Sequence, residues 1–201
     1  MNKLLFYILS IIVLSGCVSS EKGRYSIIGS VPDSRCEGEW IYLAPYKGAT
    51  AETIDSIQVK DGMFRFEGSV DTSDIRILRT RPILRFKVQE LLIVMEQGTL
   101  TVLLDSVSSA HGTPQNDALQ QWKEAKMRSD GEIRLLYGQK NNLPDSINIE
   151  YEQIKTRFND FNFNFLKNSG FNTVGTFIYD LSKNTFSPEQ KAELEELKTL
   201  L

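Results

Sequence analysis

Val59-Lys60-Asp61-Gly62-Met63-Phe64-Arg65-Phe66 is the stretch that decides the fold class. An Asp-Gly pair accepts the positive φ of a primed two-residue turn, and the flanking residues alternate apolar with polar, as a half-buried strand does. The spacing predicts a hairpin with Ile57, Val59, Phe64 and Phe66 facing one way. Working outward, the period of two holds from Arg24 to about Ser109, with turn residues every eight to twelve positions or so. Strands are expected over 25–31, 40–46, 53–59, 63–70, 74–80, 84–88, 91–96 and 99–104, with a second turn at Glu96-Gln97-Gly98. Eight short strands with no helix between them describe an antiparallel β-sandwich or a partly open barrel.

After Gly112-Thr113-Pro114 the period becomes helical. Asn116 can cap a helix whose inner face is Leu119, Trp122 and Ala125, continuing through Ile133 and Leu136 past a weak point at Asp130-Gly131. Ile147, Tyr151, Ile154, Phe158, Phe161 and Phe165 follow spacings of four and three, which puts all six on one helical stripe. The alternation Phe161-Asn162-Phe163-Asn164-Phe165 also fits a strand; the stripe's extension back to Ile147 favours the helix, and Phe163 then points away from it. A third helix is expected over 173–181, and Ser187-Pro188-Glu189-Gln190 reads as a capping box that starts a fourth. Strands followed by about four helices make an α+β chain, with a strand domain over 24–112 and a helical region over 113–201.

The N-terminus carries an address. Lys3, an apolar run over about residues 4–14, and Leu14-Ser15-Gly16-Cys17 resemble a bacterial lipoprotein signal, with cleavage after residue 16 and lipid on the Cys17 thiol. The run is too short to span a bilayer, which needs roughly 20 apolar residues. Residues 17–23 read as a tether, and Val18 after the cysteine resembles chains sent on to the outer membrane. The expectation is a cell-envelope protein held to a membrane by lipid, with its face, periplasmic or surface, left open.

Charged residues make up 24% and apolar ones 41%, an ordinary globular balance. The net charge of −3 becomes one unit more negative once Lys3 is removed, which argues against nucleic acid as a partner. Cys36 is left without an intramolecular partner and is a candidate for a redox contact or a disulfide between molecules. His111 is the only histidine, so metal clusters are disfavoured and no cofactor is expected. A Ser/His/Asp reading would have to draw on Ser108, Ser109 and Asp105, and a Cys36–His111 pair would require the fold to join them. Arg76, Arg79, Arg81, Arg85 and Lys87 are candidates for a basic patch on one side of the sheet, suited to anionic headgroups or an acidic glycan. Phe163 is a candidate docking aromatic. The turn glycines lack the strand-to-helix spacing of a phosphate loop.

Several motifs occur in a familiar order: Ile54-Asp55-Ser56, Val59 through Gly68, Met95-Glu96-Gln97-Gly98-Thr99-Leu100-Thr101-Val102, and Gly112-Thr113-Pro114-Gln115-Asn116-Asp117. Together they resemble a domain of unknown function found at the front of bacterial lipoproteins whose rear half is a thioredoxin-like thiol-disulfide oxidoreductase. The resemblance covers roughly residues 24–125. It implies catalysis by a Cys-x-x-Cys pair in those relatives, and no such pair occurs in this sequence, so no catalytic residue is carried over. The expected function is a non-catalytic binding or scaffolding domain in the envelope, with an envelope protein or glycan as partner. The alternatives are the front part of an oxidoreductase and a ligand-binding lipoprotein for nutrient uptake.

Overall fold

The computed structural model describes residues 23–46, 54–80, 90–138 and 146–200. Residues 1–22 with Cys17, the strand expected over 84–88, and Arg81, Arg85 and Lys87 lie outside them. The described strands are β1 (Gly23–Ser30), β2 (Trp40–Pro45), β3 (Asp55–Gln58), β4 (Met63–Val70), β5 (Asp74–Thr80), β6 (Glu90–Met95), β7 (Gly98–Leu103) and β8 (Ser109–His111). They form two four-stranded sheets, β4-β1-β7-β8 and β3-β2-β5-β6. Neighbours are antiparallel except β1 and β7, which run parallel.

The Asp-Gly turn forms as its residues dictate. Asp61 (φ 53°) and Gly62 (φ 68°) both take left-handed backbone, and Lys60 and Met63 exchange backbone hydrogen bonds of 2.8 and 3.0 Å. The Glu37 carboxylate accepts from both turn amides, Asp61 N–H at 2.9 Å and Gly62 N–H at 3.0 Å. The hairpin itself does not continue. Val59 donates to the Glu39 carbonyl and accepts from Gly38 N–H, keeping its strand with β2, while β4 pairs with β1. The turn is thus a corner between sheets, and Ile57 is 37% exposed while Val59, Phe64 and Phe66 are buried. Glu96-Gln97-Gly98 is a second corner of this kind, between β6 and β7.

The inner faces of the two sheets enclose one core, with Ile27, Phe64, Phe66 and Leu100 from one and Ile41, Leu43, Leu78 and Ile93 from the other. Phe64 lies opposite Gly29, and its ring occupies the space a β-carbon there would need, 1.9 Å away. In the second sheet, β5 and β6 are buried on both sides. Leu91, Ile93 and Met95 of β6 face the sandwich, whereas Val94 and Ile75 face the helices. This two-sided burial explains why β6 reads Leu-Leu-Ile-Val-Met with little alternation.

The helices are α1 (Pro114–Gly138), α2 (Ser146–Ser169), α3 (Thr173–Ser182) and α4 (Pro188–Thr199). Helix α1 passes unbroken through Asp130-Gly131, where Lys126 and Asp130 pair at 2.8 Å one turn apart. Asn172 caps α3, and the Ser187–Gln190 capping box opens α4 as expected. Helix residues Leu119, Trp122, Leu166, Phe177, Ile178 and Leu194 form a second core with Ile75 and Val94 of the sheet. The boundary near residue 112 therefore divides the chain, while the packing crosses it. Phe163, expected on an outer face, packs edge-on against Phe186 with ring centroids 6.3 Å apart and has the Lys167 ammonium 5.3 Å from its ring. The segment leading into α4 covers it, because the second core wraps farther around α2 than its stripe indicated.

Candidate functional site

Two of the quoted motifs meet at one place. The Glu96 carboxylate, at the corner after β6, accepts from Gln115 N–H at 2.9 Å and Asn116 N–H at 3.1 Å, two free donors in the first turn of α1. Asn116 itself is not the cap; it sits inside the helix and its side chain reaches the sheet. Its Oδ1 accepts from Val94 N–H at 2.8 Å, and its Nδ2 donates to the Val94 carbonyl at 2.8 Å and to Thr113 Oγ1 at 2.8 Å. One amide thus bonds both backbone groups of a residue in an edge strand, as another strand would. On β8, the edge of the other sheet, Gln120 Oε1 accepts from Ala110 N–H at 3.3 Å. A β-carbon at Gly112 would lie 2.6 Å from the Thr99 carbonyl, so the chain passes there only as glycine. The motif residues form a polar joint that fastens α1 across the open edges β6 and β8.

Beside this joint a groove of about 590 Å3 lies between the outer face of β5 and β6, the residues Ser106 to Ser108, α1 and α3. Its apolar walls include Ile77, Leu92, Trp122, Phe177 and Leu181. Phe177 packs edge-on against Trp122 and Tyr46, and Trp122 Nε1–H donates to buried Asn162 at 2.9 Å, so this wall is held rigidly. Lys123 is half-buried in the groove, where its ammonium donates to the Leu92 carbonyl at 3.4 Å. Burial pulls its pKa down to about 8, with the Glu124 carboxylate acting in the opposite direction. Val107, Met127 and Leu181, all more than half exposed, line the groove. Two further hollows, of about 620 Å3 between α1 and α2 and about 470 Å3 between β2 and α3, also reach Leu181.

The residues singled out from sequence are distributed otherwise. Cys36 ends a short 3-10 turn and packs, half-buried, against the sandwich core. Burial, then the Asp33 carboxylate, raises its thiol pKa against the opposing Arg35, so it is held as a thiol and not as the nucleophilic thiolate. Arg76 shares the parity of Leu78, which faces the sandwich, and pairs with Asp74 at 2.8 Å. Arg79 shares the parity of Ile75, which faces the helices, and lies across from Glu90 in the β5–β6 register. Three positions apart on a strand means opposite faces, so these two members do not build a one-sided basic patch. Ser108 bonds Asp105 through backbone and side chain, and His111 Nδ1 lies 3.5 Å from Asp117; the fold does not align them as a nucleophile, base and orienting acid. Among the described residues, no three His, Cys, Asp or Glu side chains gather as a metal site, and no helix is long and apolar enough to cross a membrane.

Glu96, Gln120 and Lys123 are functional positions that sequence pattern does not single out. For Lys123 alone a faint signal exists: Leu119, Trp122, Lys123 and Lys126 share one helical face, which sets a lysine at the margin of a buried stripe.

The molecule is thus an α+β protein whose two-sheet sandwich is closed by a helix at its open edge. Residues 25–119, from β1 into the first half of α1, match the family described as Domain of unknown function (DUF4369), and the joint from Glu96 to Asn116 falls within that span. A comparison with curated proteins returns no match.

Proposed function

We infer that the protein is a lipid-anchored envelope protein whose folded body acts as a non-catalytic binding or scaffolding domain. The observation that carries the binding reading is the groove beside Trp122, where exposed apolar side chains surround a half-buried ammonium. The joint supports it from the other side: the polar side chains of the family-like motifs bond helix N–H groups and strand edges, which is structural work. Leu14-Ser15-Gly16-Cys17 supports attachment through Cys17, and Val18 supports an outer-membrane address. An envelope protein or glycan is the partner class that fits this location.

The test is radioactive palmitate labelling of the full chain in a Gram-negative host. Label in the membrane fraction that Cys17→Ser abolishes is the expected result, and an unlabelled native chain overturns the anchor. Dithiothreitol-driven insulin reduction by the purified protein is expected to stay at the protein-free rate. Reduction above that rate would overturn the non-catalytic reading.

A further inference from the structure

The groove has a chemical asymmetry that narrows what it takes. Lys123 carries three N–H donors, one of them on a long contact to the Leu92 carbonyl, and among the described residues no carboxylate lies within ion-pair distance of it. Its neighbour Lys126 is neutralised by Asp130 at 2.8 Å. Around the Lys123 ammonium the walls are Leu92, Trp122 and Phe177, and the rim is Val107, Met127 and Leu181. A cation without a counter-charge beside apolar walls is complementary to an anion that carries an apolar body. The volume of about 590 Å3 lies in the range of small-molecule sites.

We propose that this groove binds a single-chain amphiphile bearing one carboxylate, with the carboxylate on the Lys123 ammonium and the chain along Leu92, Phe177 and Leu181. The proposal deepens the binding reading above and rests on it. The fall in the Lys123 pKa on burial is what an absent counter-ion produces, and a bound carboxylate would restore it. Among the described residues, the other charged groups facing the groove are Glu90, Lys126 and Asp130 on its walls, with Glu124 next to Lys123 on α1. Glu90 and Asp130 are exposed and Lys126 is paired with Asp130, whereas Lys123 is half-buried with no ion-pair partner among the described residues.

The experiment uses the full chain in phosphatidylcholine nanodiscs, titrated with octanoate, octan-1-ol and octylammonium against protein-free discs. The readout is the NMR shift of the Trp122 indole N–H. Octanoate is expected to give a saturating shift that octylammonium does not, and to weaken as pH rises through the titration of Lys123. Lys123→Met should weaken it about 10- to 100-fold, the range of a charge-assisted hydrogen bond, and Lys123→Arg should retain most of it. Leu181→Asp changes an exposed rim residue without burying a new charge, and it should weaken octanoate by removing apolar contact from its chain, independently of the Lys123 variants. Equal responses to octan-1-ol or octylammonium overturn the proposal, as do the absence of a saturating shift and octanoate binding unchanged in both variants. Such a failure removes the ligand class, while palmitate labelling and insulin reduction report separately on the anchor and on catalysis.

Discussion

Asn116 shows how much one side chain can decide. Its amide bonds the N–H and C=O of Val94, both out of reach of water, and the Thr113 hydroxyl as well. Asn116→Ala leaves those backbone groups unsatisfied, so we expect a loss of about 2–4 kcal/mol, read as a lower urea midpoint with an unchanged slope. Its position inside α1 was not legible, since an asparagine after a proline at a helix start reads equally well as a cap. What it bonds lies 22 residues away on a strand, and local pattern carries no information about that distance. Lys123 gives a pH signature of opposite sense to that of a paired lysine. Between about pH 8 and its ordinary 10.5 the unfolded chain holds a proton that the folded chain releases. Its contribution to stability therefore rises with pH across that window and is most adverse below it. Lys123→Met should raise the urea midpoint near pH 7 and flatten its increase above pH 8, the ordinary trade of stability against a binding group.

Turns were legible at the scale of elements, whereas strand partners were not. Asp61-Gly62 specifies its own backbone geometry, and the bonds of Lys60 with Met63 confirm it. A period of two says which face a residue takes and nothing about which strand lies beside it. Thus the corner at Gly62 was readable as a turn but not as a passage between sheets. Strand β8 has no signature in the sequence because three residues are too few to display alternation. The helices, with longer periodic stripes and a full capping box, are legible, and α1 continues as expected past the weak point at Gly131. There a β-carbon meets nothing within 4 Å. Gly131→Ala should therefore stabilise by about 0.5–1 kcal/mol through the unfolded chain, raising the thermal midpoint without disturbing α1.

The whole molecule is held by two cores that share a sheet. Residues 23–112 alone would expose Ile75 and Val94 and leave the edges of β6 and β8 without Asn116 and Gln120. That fragment is expected to show poor amide dispersion by NMR and to self-associate by light scattering, whereas the full chain gives one cooperative transition. The α+β class could be read from periodicity because each half keeps its own period. The joint and the groove could not, since both arise where the halves meet. One property of the sandwich concerns load. Strand β1, the first element after the N-terminal stretch, lies between β4 on one side and β7 on the other. Tension entering the body at residue 23 is therefore shared by two ladders along the strand's length. A rim strand would unzip pair by pair; this one must part from both neighbours together, which resists a pull from the end where a tether would attach.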